Sequence, residues 1–144
     1  MSVGDGGTKM IRVVVAEDHV SIRENLRNVL DAEGDIVCVG VATDGREALD
    51  VAIQERPDVL VIDAEMHDLH GIDVAIRLRR LAPAVRTVLY GAAPANEGLA
   101  RRAELAGFVA KDAPVDDLLT TVRRAAFAAR TQSLRTGGPR TSAD

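Results

Sequence analysis

Residues 58–71 read DVLVIDAEMHDLHG. Val59, Leu60, Val61 and Ile62 form an unbroken apolar run, largely β-branched, between two aspartates. Such a run predicts a strand over 58–63 buried on both faces, because a half-buried strand would alternate apolar with polar residues. Asp63 stands at its carboxyl end. The loop AEMHDLH follows, and Gly71 precedes a helix whose predicted inward stripe is Val74, Ala75, Leu78 and Leu81. A buried strand, an acid at its end, a polar loop and an amphipathic helix make one β–α unit.

The same unit recurs on both sides. Residues 10–16, MIRVVVA, predict a strand, followed by a helix on Ile22, Leu26, Val29 and Leu30 that Gly34 stops. A second strand spans 36–41. Thr43-Asp44-Gly45 opens a helix with Ala48, Leu49, Ala52 and Ile53 inward, and Pro57 ends it. Beyond the 58–71 segment come a strand over 87–90, a helix over 95–105 and a short strand over 107–110. Pro114 then starts a last helix carrying Leu118, Leu119, Val122, Ala125 and Ala126 on one face. Five consecutive β–α units with wholly apolar strands predict an α/β fold, a flavodoxin-like (βα)5 doubly wound parallel five-stranded sheet. Residues 1–9 read as a flexible lead-in, 10–130 as the domain, and 131–144 as a disordered tail without hydrophobic period.

Composition agrees with one aliphatic core. Of the 144 residues 47% are apolar but only 2% aromatic, so Val, Ile, Leu and Ala must fill the interior. The net charge of −4 argues against a dedicated nucleic-acid surface. The single cysteine, Cys38, excludes an internal disulfide and sits in an apolar run as a small hydrophobe. The first residues carry no apolar stretch after a basic start, and no segment has the run of about 18 apolar residues that a membrane span needs. A cytoplasmic protein without a membrane partner is expected.

In a doubly wound sheet the site lies at the carboxyl ends of the strands. Strand one ends in Glu17-Asp18, strand three in Asp63 and strand five in Lys111. If those strands are neighbours, three carboxylates and one ammonium converge. Crowded carboxylates repel one another unless a hard cation joins them, and Mg²⁺ takes oxygen ligands of this kind. A carboxylate beside Mg²⁺ can attack a phosphoryl group, with metal and lysine neutralising charge on the transferring oxygens. His19, His67 and His70 read as ordinary loop residues, since no paired spacing or cysteine partner supports a transition-metal site.

RVVVAEDH, DVLVIDAEMHDLHG and GFVAKDAP together resemble the receiver domain of two-component response regulators, over residues 10 to about 128. The KDAP form resembles the NarL-type subfamily. The resemblance implies that Asp63 is the phosphoacceptor and that Asp18 is a direct Mg²⁺ ligand. It makes Glu17 the neighbouring acid acting largely through water, and the Glu65 backbone carbonyl a third protein ligand. Lys111 would pair with the phosphoryl group, and Phe108 would be the aromatic that changes rotamer on activation. It also implies a sensor histidine kinase as donor, an output protein as partner, and no enzymatic activity beyond slow autodephosphorylation. A homodimer through the last helix is allowed for.

The sequence departs from the family in one region. VLYGAA puts Gly91 where the family has Thr or Ser, with Ala92 in its usual place. The hydroxyl donor is lost, and Tyr90 is expected to fill part of the switch space. The usual helix-exit glycine is replaced by Glu104, Gly98 sits within the fourth helix, and His67 replaces a loop proline. An atypical receiver follows as the expectation. The alternatives are a pseudo-receiver working without phosphorylation and the truncated receiver half of a DNA-binding transcriptional regulator. Only 14 residues follow Arg130 (144 − 130), too few for a helix-turn-helix domain. An FMN-binding protein would need a Gly/Ser/Thr-rich loop where VAEDHVS stands. An aspartyl-phosphate phosphatase would usually carry Asp where Glu65 stands.

Overall fold

A computed structural model describes residues 9–136 of the chain, with side chains to residue 128. Its strands are β1 (Ile11–Ala16), β2 (Ile36–Ala42), β3 (Val59–Asp63), β4 (Arg86–Gly91) and β5 (Gly107–Ala110). Its helices are α1 (Val20–Asp31), α2 (Gly45–Glu55), α3 (Gly71–Leu81), α4 (Ala95–Arg102) and α5 (Val115–Thr136). All neighbouring strands run parallel, in the order β2-β1-β3-β4-β5. The order reverses between β1 and β3, the place where such sheets hold their ligands.

Strand residues point alternately to opposite faces, and here both sets are apolar. Val13, Val15, Val59, Val61, Val88 and Val109 pack with Leu26 and Leu30 of α1 and with Leu118, Leu119 and Val122 of α5. Val14, Leu60, Ile62 and Leu89 pack with Ala52 of α2, Val74 and Leu78 of α3 and Ala100 of α4. Covering both faces removes every one of these strand residues from water. Each fully buried Val, Leu or Ile contributes about 1.5–3 kcal/mol by that transfer.

Local chemistry sets the helix ends. The Asp44 side chain accepts the Glu47 amide at 2.7 Å, and Glu47 Oε1 accepts from the Thr43 amide at 2.7 Å and its hydroxyl at 2.8 Å. This reciprocal cap fixes the start of α2. Arg56 ends that helix with φ 49°, just before Pro57. His70 caps α3 through Nδ1, which accepts the Ile72 amide at 3.1 Å. Asp68 reaches across from the β3–α3 loop, its carboxylate accepting the Gly45 and Arg46 amides at 2.8 and 3.0 Å. The loop after Asp63 is thereby latched to the first turn of α2.

Three expectations need correcting. Leu81 is 53% exposed, and Ala82 takes the inward place fully buried, because the stripe through Val74 and Leu78 recurs at 82. The fourth helix stops at Arg102 rather than 105, and Glu104 turns the chain with φ 57°. The last helix continues past Arg130 to Thr136: nothing in TQSLRT breaks a helix, and the first breakers are Gly137, Gly138 and Pro139. Residues 1–8 and 137–144 lie outside the described residues, as does what was expected of them.

Candidate functional site

The site grows from the ends of β1, β3 and β5. The Glu17 amide donates to the Ala42 carbonyl at 3.0 Å, carrying the β1–β2 pairing one residue past the strand. Beyond β5 the Lys111 amide donates to the Gly91 carbonyl at 3.0 Å. Sheet hydrogen bonds thus hold the backbone of both residues. Asp63 is the last residue of β3, paired in register with Tyr90.

Glu17 is 0% and Asp63 2% exposed, so two acids are buried side by side. Ligand atoms of Glu17, Asp18, His19 and Asp63 all lie within 4.8 Å of one another. Lys111 Nζ lies 3.2 Å from Asp63 Oδ1 and 3.5 Å from Glu17 Oε1. Burial alone would lower the Lys111 pKa, but the Asp63 and Glu17 carboxylates outweigh it and hold the ammonium above its ordinary value. Burial likewise pushes Asp18 up. The neighbouring side chains of Glu17, His19 and His67 more than reverse that, leaving it below the ordinary carboxylate range.

The two oxygens of Asp63 differ. Oδ1 accepts the Glu65 amide at 3.1 Å and faces Lys111. Oδ2 is buried and accepts no hydrogen bond; Glu17 Oε1 and Asp18 Oδ1 accept none either, with the Lys111 ammonium 3.5 Å from the first and His19 Nδ1 3.2 Å from the second. Buried carboxylate oxygens without donors are costly unless a cation takes their lone pairs. This donor set, hard oxygens with one lysine at the rim, fits a hard divalent ion.

Of strands one, three and five, only the first two are neighbours. β4 lies between β3 and β5, so β5 is about 10 Å from β3. Lys111 bridges the gap with its long stem. Its ammonium passes over the Tyr90 ring at 5.6 Å from the centroid, within cation–π range.

A receiver-domain family model, described as "Response regulator receiver domain", matches residues 13–123. The chain belongs to this family. The transcriptional regulatory protein YxjL of Bacillus subtilis (strain 168) is 31% identical over 118 residues, covering 81% of this chain and 54% of YxjL. A protein-glutamate methylesterase/protein-glutamine glutaminase of Thermotoga maritima is 39% identical over 75 residues, which is 52% of this chain and 22% of that enzyme. Among solved structures, the signal receiver domain of NarL from Mycobacterium tuberculosis superposes with a TM-score of 0.72 at 31% identity, covering 85% of this chain and 98% of that one. The receiver therefore spans about a fifth to just over half of the length of these curated relatives. Among the described residues no helix is long and apolar enough to cross a membrane.

Within this receiver the sequence-predicted acids and Lys111 come together, and Phe108 packs half-buried against the α2–α3–α4 layer. Tyr90 does not fill the switch space. It packs on the α1–α5 layer, the opposite face of the sheet, because neighbouring strand residues alternate. The space beside Gly91 holds Asn96 of α4 instead, a buried side chain that sequence reasoning missed. The histidines also need revision. His19 Nδ1 lies 2.9 Å from Glu17 Oε2 and 3.2 Å from Asp18 Oδ1, and His67 Nδ1 lies 3.6 Å from Asp18 Oδ2. Two of the three loop histidines thus belong to the acid site. Carboxylates hold His19 above its ordinary pKa, led by its hydrogen bond to Glu17. The signal was present in the sequence only as topology: the loops after β1 and β3 meet at the switch point.

Proposed function

We propose that this receiver is phosphorylated on Asp63 and signals by protein–protein contact. A single observation carries the reading: Asp63 Oδ2 is buried at the strand end with no donor of its own, while Oδ1 is held by the Glu65 amide and Lys111. One oxygen is fixed and the other keeps its lone pairs for phosphorus. As the new O–P bond forms, the bond from phosphorus to the donor breaks. Lys111 neutralises charge on the phosphoryl oxygens. Glu17, Asp18, Asp63 and the Glu65 carbonyl would hold Mg²⁺, which supplies charge neutralisation at the transferring group when bound. The donor in this reading is a sensor histidine kinase and the setting is cytoplasmic. The phosphorylated surface is read by another protein or by an output domain, as the likeness to transcriptional regulators supports. No activity beyond slow loss of the phosphoryl group is assigned to the domain.

The test is a beryllofluoride titration with Mg²⁺, followed by amide chemical shifts. Shifts are expected at residues 17–18, 63–65, 91 and 111 in the wild type and not in Asp63→Asn. A folded wild type that stays silent would sink the reading and favour a module that works without phosphate.

A further inference from the structure

The last two residues of β4 are held one from each side. The Ala64 amide donates to the Tyr90 carbonyl at 2.8 Å, and the Lys111 amide donates to the Gly91 carbonyl at 3.0 Å. A Cβ placed on Gly91 would lie 3.2 Å from the Cβ of Ala64, the residue after Asp63. It would also lie 2.7 Å from Asn96 Nδ2 and 3.3 Å from Asn96 Cβ. The volume that a side chain at 91 would occupy is therefore filled by the carboxamide of Asn96, on the first turn of α4.

Asn96 is 2% exposed, and its Nδ2 has no hydrogen-bond partner. Asparagine is a poor helix former, and a buried amide without an acceptor costs stability. Filling space does not require it, since an apolar side chain of like size would pack there without the orphan donor. An amide nitrogen offers what the missing hydroxyl would offer: an N–H for an anionic oxygen. We infer that Asn96 donates to the phosphoryl oxygens on Asp63 in place of the side chain that Gly91 lacks. The inference rests on Asp63 being the acceptor. It places the sensing donor on α4 rather than on β4, so that phosphorylation pulls directly on the helix.

The test compares beryllofluoride binding, with Mg²⁺, in wild type, Asn96→Ala, Asn96→Asp and the double variant Gly91→Ser/Asn96→Ala. Asn96→Asp keeps the shape and replaces the donor with an anion. Both single variants are expected to lose about tenfold to a hundredfold in affinity, the range for one hydrogen bond to a charged group, with Asn96→Asp the weaker binder. The double variant, which restores a hydroxyl in the vacated space, is expected to recover most of the loss. Thermal unfolding without beryllofluoride serves as the folding control, and Asn96→Asp carries the test if Asn96→Ala does not fold. Equal affinity for wild type and Asn96→Asp would overturn the inference while leaving the acceptor reading standing. Failure of the wild type to bind, with Asp63→Asn indistinguishable from it, would overturn both.

Discussion

Substituting Gly71 tests how tightly the acid loop is seated. A Cβ at position 71 would lie 2.6 Å from the Asp63 carbonyl oxygen, 2.9 Å from Leu89 Cδ1 and 3.2 Å from the Ala64 Cα. The leucine methyl can rotate away. The carbonyl cannot, because Asp63 is paired in the sheet with Tyr90 and the Gly71 amide is bonded to the Ala64 carbonyl at 2.7 Å. Gly71→Ala must therefore push the β3 end and α3 apart by several tenths of an ångström. Overpacking of this kind costs about 1–3 kcal/mol, and the alanine recovers roughly 0.4–1 kcal/mol by restricting the unfolded chain. At the middle of these ranges the net loss is about 1.3 kcal/mol, a fall in Tm of roughly 3–5 °C for a domain of this size. Gly98→Ala provides the opposite sign. Gly98 lies inside α4, and the nearest atom to its Cβ position is Arg102 Nη1 at 3.9 Å. Relief of helical glycine there is worth up to about 1 kcal/mol, a rise in Tm of roughly 2–4 °C. Parallel thermal and urea melts of the two variants decide the matter. A Gly71→Ala protein that melts with or above wild type refutes the claim that backbone contact, rather than turn flexibility, demands glycine at this junction.

Two further predictions concern side-chain bonds that tie one element to another. Arg123 donates to Asp35 at 2.9 Å through both Nε and Nη2, and to Glu33 at 2.8 Å, tying α5 to the α1–β2 loop. These bonds hold the Asp35 carboxyl below its ordinary pKa. A depressed carboxyl stabilises the fold above its unfolded pKa of about 3.9, and the contribution fades as pH falls through the lower folded value. Arg123→Ala should therefore cost about 0.5–1 kcal/mol in urea unfolding at pH 7, modest because the pair is solvent-screened, and clearly less at about pH 2.5; an undiminished gap at the lower pH rules this origin out. Asp68→Ala removes the acceptor of two α2 amides and should cost roughly 0.5–2 kcal/mol. Hydrogen exchange at Gly45 and Arg46 should speed up; unchanged protection there would mean that the latch does not hold the helix start.

The β–α order was legible in the sequence because each strand is wholly apolar and each helix carries one apolar stripe. The identities of Glu17, Asp18, Asp63 and Lys111 followed from their places at strand ends. Strand adjacency was not legible: nothing in GFVAKD says that β5 lies one strand away from β3, and only the length of lysine makes the convergence work despite it. The helix ends were read less well, since the hydrophobic period says where a helix is buried and not where it stops. Residues 131–136 stay helical without any such period.

What sequence reading marks as loss at one position is met at another on a different element of the fold. Glu104 adopts φ 57° where a glycine was expected, an unfavourable conformation for a side-chain-bearing residue. Arg79 of α3 donates through Nη2 to the carbonyls of both Ala103 and Glu104, holding that turn from across the layer. Gly91 lacks a side chain, and Asn96 of α4 fills its space. His67 stands where a proline was expected, and its ring faces Asp18 across the site. Each partner lies on an element that the fold alone brings near, so a position-by-position comparison counts only the missing half. Two of the pairs lie at the carboxyl ends of the strands, and the third, Arg79 with the turn at 103–104, lies at the other end of α4 beside Thr87. If these pairs act together, Arg79→Ala should loosen the α4 exit and weaken beryllofluoride binding in the wild type, yet add little to the loss already caused by Asn96→Asp. Strictly additive losses in that double-variant cycle would mean that the compensations are separate repairs and not one altered relay.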